Sequence, residues 1–254
     1  MILLTGDKHG NAYDIKCMTD YLKRFNLTSS DYIIILGDFG LGWKGSKEDS
    51  YYRIVDTLNT IGATILFIDG NHENFDFLGS FPVKQWHGGK VHFLEDNIIH
   101  LMRGQVFNID DKEFFTFGGA KSIDITGGIF EVDDPYIGSK IEQARLSGLP
   151  YRVNHLSWWK EEMPSEKEFK EGINNLKKVN NKVDYILTHC APTSCIRDVG
   201  IRVSGTPFKP DECTDMLEQY NNKIMFNKWC FGHYHSDFNL YDKFRLLYDD
   251  LIEA

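Results

Sequence analysis

The hydrophobic and polar positions alternate in blocks over the first third of the chain. Residues 1–5 are mostly apolar and break at Gly6-Asp7-Lys8-His9-Gly10, as a buried strand does where it meets a loop. Asn11 stands where a helix cap is wanted, and Ala12, Ile15, Met18, Leu22 and Phe25 follow at helical spacing. Residues 32–36 form a second apolar run ending in Gly37-Asp38. A glycine-rich loop comes next, and a helix is expected near residues 47–60. Residues 63–68 make a third run, closed by Asp69-Gly70-Asn71-His72-Glu73. This strand and helix alternation predicts parallel pairing in an α/β sheet.

From about residue 75 to 181 the texture changes. Short strand-like runs at 91–94, 98–101, 105–109 and 114–117 are separated by turn residues. Ser165-Glu166-Lys167-Glu168 reads as a capping box ahead of a helix carrying Phe169, Ile173, Leu176 and Val179. No low-complexity linker bounds this region. It is read as extra strands and loops inside one domain spanning residues 1–254. The alternation then resumes. A fourth buried run, 183–188, ends in His189. A helix is expected over 211–220. A fifth run, 229–231, ends in Gly232-His233-Tyr234-His235, and 237–241 with 244–248 read as a hairpin.

Composition narrows the possibilities. The chain has 254 residues, 42% apolar and 14% aromatic, enough for a sizeable core. A net charge of −9 argues against an extended duplex nucleic-acid face or an anionic membrane surface. Five cysteines without Cys-x-x-Cys spacing suggest free thiols in a reducing cytoplasm. The first residues lack a signal-peptide pattern, and no apolar run approaches a membrane span. A cytoplasmic protein is expected.

The chemistry lies at the ends of the apolar runs. Asp7 and His9, Asp38, Asn71 with His72, His189, and His233 with His235 each follow one. In open α/β sheets ligands gather at the carboxyl ends of strands, so these side chains can converge if the strands are neighbours. The set is oxygen and imidazole without thiolate. It suits manganese first, with iron, zinc, nickel, cobalt or magnesium able to replace it. Asp7, His9, Asp38, Asn71, His189, His233 and His235 are too many for one tetrahedral ion. They suit two divalent ions sharing a carboxylate, about 3.5–4 Å apart.

Asp7-x-His9, Gly37-Asp38, Gly70-Asn71-His72-Glu73, His189 and Gly232-His233-x-His235 together resemble the calcineurin-like metallophosphoesterase superfamily. The resemblance implies a four-layer αββα sandwich of two mixed sheets with a dinuclear centre at one edge. It assigns Asp7, His9 and His235 to one metal and Asn71, His189 and His233 to the other, with Asp38 bridging. A metal-bridging hydroxide would attack a phosphomonoester or phosphodiester. Asp38 and His72 are the expected catalytic residues, and Asn71 and His72 the expected phosphate contacts. His72, left over by the ligand count, can protonate the leaving oxygen or bond a phosphate oxygen. Asp69 or Glu73 could orient it. The substrate is expected to be a phosphorylated small molecule or a nucleotide. The alternatives are a nuclease or nucleotide phosphodiesterase of the same superfamily, and a non-catalytic protein-binding scaffold.

One departure bears on function. Protein phosphatases of the superfamily carry an acid, Arg and Gly after the second motif, whereas this chain reads Phe39-Gly40-Leu41-Gly42-Trp43. That argues against a protein phosphatase. Lys8, Arg103, Arg145 and Arg197 are candidate replacement clamps, each read first as a surface charge. The Gly40–Gly45 loop matches a dinucleotide fingerprint only formally and is read as a flexible rim of the site. His87, His92, His100 and His155 are read as surface or satisfied histidines, and Trp158 and Trp159 as core packing.

Overall fold

The structure, a computed structural model, describes all 254 residues. The strands β1 (Ile2–Thr5), β2 (Tyr32–Leu36) and β3 (Thr64–Ile68) are runs of isoleucine and leucine buried on both faces, as central parallel strands require. They are joined by α1 (Ala12–Leu22) and α2 (Asp49–Asn59). The Asn11 carboxamide caps α1 by accepting from the Tyr13 and Asp14 N–H groups. The helical spacing that reached Phe25 breaks earlier than expected. After Leu22 the chain tightens into a 3₁₀ turn, and Asn26 stops it in the left-handed region.

A short helix α3 (Phe75–Gly79) leads to β4 (Val83–Trp86), β5 (Gly89–Glu95) and β6 (Ile98–Leu101). Next come β7 (Gln105–Ile109), β8 (Lys112–Phe117), β9 (Ile129–Phe130), α4 (Ile137–Leu146) and β10 (Arg152–Val153). After them run α5 (Glu166–Lys178), β11 (Lys182–Thr188), α6 (Thr193–Ser204), α7 (Glu212–Asn221) and β12 (Met225–Phe231). The chain closes with β13 (Phe238–Leu240), β14 (Phe244–Leu246) and β15 (Ile252–Glu253). The capping box at Ser165 and Glu168 forms as the spacing predicts, and so does the antiparallel pair β13 and β14.

Two large mixed sheets result. One has the order β15-β1-β2-β3-β6-β5-β4, the other β13-β14-β12-β11-β8-β7. In each the middle is parallel and the edges are antiparallel: β1 pairs β2 with Leu3 opposite Ile33, and β11 pairs β12 with Ile186 opposite Trp229. Leu4, Ile34 and Leu66 from the first sheet meet Phe107, Phe114, Leu187 and Cys230 from the second in an inner core. A second core packs α1, α2 and α3 outside the first sheet, and a third packs α5, α6 and α7 outside the second. This is the αββα order of layers. The five site-bearing strands are not neighbours in one sheet. β1, β2 and β3 are adjacent in one and β11 and β12 in the other, and the face-to-face packing brings their ends together. No helix is long and apolar enough to cross a membrane.

Between β8 and α5 the chain makes an excursion containing α4 and the two-residue pair β9–β10. Its helix carries glycine and serine in an irregular apolar pattern, which is why its periodicity was too weak to read.

Candidate metal centre

Each site side chain is set by a tight turn just past a buried strand. His9, Asp38, His233 and His235 have φ of 48°, 48°, 71° and 46°, a left-handed backbone that costs non-glycine residues on the order of 1–3 kcal/mol. Tertiary bonds hold these turns. The Asp38 carbonyl accepts from His9 N–H at 2.6 Å, and the Glu73 carboxylate accepts from Phe39 and Gly40 N–H at 2.8 and 3.2 Å. Two motif glycines supply room that no side chain could share. A Cβ at Gly70 would lie 2.0 Å from Asp38 Oδ1. One at Gly37, whose φ is +89°, would lie 2.2 Å from His189 Nδ1.

The side chains fall into two adjoining groups. Asp7, His9 and His235 offer atoms within 4.8 Å of one another, and so do Asp38, His189 and His233. Asp38 faces both groups: Oδ1 lies 3.3 Å from His189 Nε2, and Oδ2 lies 3.9 Å from His9 Nδ1. His9 Nε2 and His235 Nε2 are 3.0 Å apart, and His235 Nε2 is 3.2 Å from Asp7 Oδ2. Other bonds orient the donors. His189 Nδ1–H donates across the sheets to the Leu36 carbonyl at 2.7 Å, leaving Nε2 turned toward Asp38. Asp7 Oδ1 accepts from His233 N–H at 3.0 Å, and Asn71 Nδ2 donates to Ser122 Oγ at 3.3 Å. What remains is diagnostic. Asp7 Oδ2, Asn71 Oδ1 and His189 Nε2 are buried without hydrogen-bond partners. A buried acceptor left unpaired costs about 1–3 kcal/mol. Unpaired oxygens on Asp7 and Asn71 and an unpartnered ring nitrogen on His189, on the loops that carry the two groups of imidazoles, fit a divalent cation, and the oxygen and nitrogen donor set fits a hard or borderline ion.

The electrostatics agree. Burial disfavours charge on Asp38, but His189, His72 and His9 outweigh it and hold the carboxyl far below its usual range. Burial likewise opposes charge on His189, yet Asp38 and Asp7 lift it to about 10, so without a cation the ring is held protonated, and a cation bound at Nε2 would take the place of that hydrogen. Burial and the neighbouring His189 push His233 down to about 4, so its lone pair is free near neutrality. Two carboxylates thus create a field that calls for positive charge between them.

The model of the calcineurin-like phosphoesterase family matches residues 1–237. The chain belongs to that family. Membership places it among metal-dependent phosphoester hydrolases, which use divalent cations. Among solved structures, phosphopantetheinyl hydrolase from Mycobacterium tuberculosis is similar in fold at 12% identity and a TM-score of 0.47, with 97% of this chain and 87% of that chain aligned. No curated protein matches the chain in sequence.

In this calcineurin-like phosphoesterase six of the seven expected ligand residues form the two groups, while Asn71 bonds Ser122 and the His72 backbone bonds Asp38. The half-buried His72 ring packs against His9 and Trp43, at 5.3 and 6.0 Å between centroids, and makes no hydrogen bond within the chain. Its backbone N–H donates to Asp38 Oδ1 at 2.7 Å. Neither Asp69 nor Glu73 orients the ring. Glu73 holds the Asp38 loop, while Asp69 receives the Arg103 guanidinium (Nε to Oδ2, 2.6 Å) and His100 Nε2 (3.1 Å).

The surface-charge reading holds for Arg145 and Arg197, which are exposed, and fails for the other two cations. Arg103 is buried on Asp69. Lys8 is buried with Nζ donating to the Asp7 and Tyr248 carbonyls at 3.1 and 2.9 Å. The Gly40 loop begins as a buried turn rather than a free rim, with Leu41 in the core and Gly42 against Phe77. His87 and His155 are satisfied by the Asn108 carbonyl and Asp76, and His92 by His100. Trp159 is core, but its ring meets Trp43 edge to face at 5.3 Å and so backs the wall beside His72. Sequence reasoning missed Ser122 and Glu162, which lie behind Asn71. A lone serine and a lone glutamate in a loop carry no signal of such a role.

Proposed function

We propose that this phosphoesterase hydrolyses a phosphomonoester or phosphodiester at a two-cation centre. Asp7, His9 and His235 would hold one cation and Asn71, His189 and His233 the other, with the two oxygens of Asp38 shared between them. Such a pair of dications acidifies water and neutralises phosphate oxygens. The chain's own residues do the rest. Asp38 presents one carboxylate oxygen to each group, and the His72 N–H fixes its rotation. His189 donates Nδ1–H to Leu36, which leaves Nε2 as the nitrogen a cation would take in exchange for its hydrogen. His72 carries the mobile proton, because its ring faces the site without a partner and can donate to the leaving oxygen or to a phosphate oxygen. Trp43 limits the directions the ring can take. With Arg103 and Lys8 committed elsewhere, the substrate's charge falls to the centre, Asn71 and His72.

The observation that supports this reading is the pair of adjoining groups, Asp7 with His9 and His235 and Asp38 with His189 and His233, beside the unpartnered Asp7 Oδ2, Asn71 Oδ1 and His189 Nε2. The test separates binding from turnover. Asp38→Asn should lose metal and activity together. His72→Ala should keep metal by plasma mass spectrometry while hydrolysis of p-nitrophenyl phosphate or its bis ester falls by about 10²–10⁴-fold. Equal metal loss in both variants refutes the role given to His72.

A further inference from the structure

Asn71 poses a problem that shape alone does not solve. The two ends of a carboxamide are nearly isosteric, and only the oxygen end binds a cation. The solution lies in the residues behind it. Asn71 Nδ2 approaches Ser122 Oγ at 3.3 Å. Ser122 Oγ approaches Glu162 Oε2 at 2.6 Å, and Ser122 N–H donates to Glu162 Oε1 at 3.0 Å. All three residues are at most 5% exposed. Glu162 belongs to the Lys160–Glu162 turn, whose backbone is itself tied to the site. The Arg103 Nη2 donates to the Glu161 and Glu162 carbonyls at 2.8 and 3.3 Å while the same guanidinium holds Asp69, two residues before Asn71.

With Asn71 Oδ1 assigned to a cation as above, we propose that Glu162 is a positioning residue that sets the polarity of this buried chain and so points Oδ1, not Nδ2, at the metal. A carboxylate only accepts, so Ser122 spends its single hydroxyl hydrogen on Glu162. Ser122 can then meet Asn71 only as an acceptor, and Asn71 must turn its NH₂ backward and its oxygen forward. A glutamine at 162 reverses every step. Its oxygen must take the Ser122 N–H, which leaves its NH₂ facing Ser122 Oγ. The hydroxyl hydrogen is then released toward Asn71, which flips to accept it and presents Nδ2 to the cation position.

Glu162→Gln is close to isosteric, so the fold is retained and the readout is metal. Manganese titration by calorimetry should show one ion bound as in the parent and the other weakened by about 10–100-fold. Asn71→Asp decides whether polarity is the cause. The carboxylate it introduces has oxygen at both ends, so in the Asn71→Asp/Glu162→Gln double variant the freed hydroxyl donates to the rear oxygen and the weak ion is recovered. Asn71→Asp alone sets a carboxylate oxygen against a Ser122 lone pair and binds worse than the double variant. Ser122→Ala, a second route to the same question, should weaken the ion less than Glu162→Gln, since no hydroxyl hydrogen is left to capture Oδ1. The proposal is overturned if Glu162→Gln binds both ions like the parent, or if the double variant is no better than Asn71→Asp. Asn71→Ala separates the two levels. If it loses the second ion while Glu162→Gln does not, only the relay is wrong. If it too binds both ions normally, Asn71 is no ligand and both readings fall.

Discussion

The strand-end loops and the excursion between β8 and α5 invert each other. At the strand ends polar side chains are inside: Asp7, Asp38, Asn71, Glu73 and His189 are all buried. In the excursion apolar side chains are outside, with Ile123 82%, Leu146 80% and Tyr136 70% exposed, and α4 buries only Ala144. The first region tolerates buried charge because nearly every polar atom has a partner, and the few that lack one belong to residues of the candidate metal centre. The second region has little core of its own. It meets the rest of the chain through Lys121 on Glu212, Ser122 on Asn71, His155 and Trp159 on Asp76, and the Glu161 and Glu162 carbonyls on Arg103. The excursion is therefore held by scattered polar contacts and the buried Trp159 rather than by a hydrophobic face of its own, as segments of low local stability are.

A pair of alanine substitutions sets the two regions against each other, with the largest effect expected at the strand ends. Gly70→Ala drives a methyl to 2.0 Å from Asp38 Oδ1 and 2.5 Å from Asp38 N. The β2 loop must move, so metal binding and hydrolysis should both fall to background. Gly138→Ala, in α4, meets nothing within 4 Å. It should leave metal and turnover unchanged and add up to about 1 kcal/mol from helix propensity. Metal titration and thermal unfolding on both variants check this. A silent Gly70→Ala would erase the distinction between the regions.

The next effect probes how the excursion is anchored. Trp159 is fully buried and donates Nε1–H to Asp76 Oδ2 at 2.6 Å. Trp159→Ala should cost about 3–5 kcal/mol in urea unfolding, as large aromatic deletions do. Leu146→Ser, on the exposed side of the same excursion, should stay within about 0.5 kcal/mol. If Trp159→Ala changes global stability as little as Leu146→Ser but speeds proteolysis between residues 121 and 158, the excursion unfolds on its own and the sheets do not depend on it.

The same inversion explains what was legible in the sequence. The apolar runs that became β1, β2, β3, β11 and β12 could be read because both faces of a central strand must be apolar. The metal-competent residues could be read because each follows such a run within a few positions. The αββα order and the ligand partition came from the resemblance. The helix α4 could not be read, since a segment that buries one alanine has no period to detect. The partners of Asn71 could not be read either. Ser122 and Glu162 lie 51 and 91 positions downstream, and nothing local distinguishes them from other loop polars. Lys8 was misread for a related reason. Composition says lysine belongs in water, whereas here two backbone carbonyls solvate it inside.

The smallest expected effect lies behind the strand ends, where His92 and His100 meet Nδ1 to Nδ1 at 3.1 Å. Burial, with His100 adding to it and Asp69 opposing, depresses His92 from 6.5 to about 4. The unfolded chain therefore takes up a proton near pH 6.5 that the folded chain refuses until about pH 4. Across that window the unfolded state binds more protons, so stability is present above it and is lost as pH falls, by about 1.4 kcal/mol for each unit of depression. His92→Asn keeps a polar atom where Nδ1 stood and removes the titration. Urea unfolding of the metal-free protein should then show a shallower fall in stability from pH 6.5 to about 4 than the parent, by up to about one proton of slope. The metal-free form is used because protonation of the cation ligands in the same range would release bound metal, and that loss of stability would mask the difference. An unchanged slope would mean that His92 charges freely in the folded protein, and that the polar layer beneath Asp69 is as open to water as the excursion.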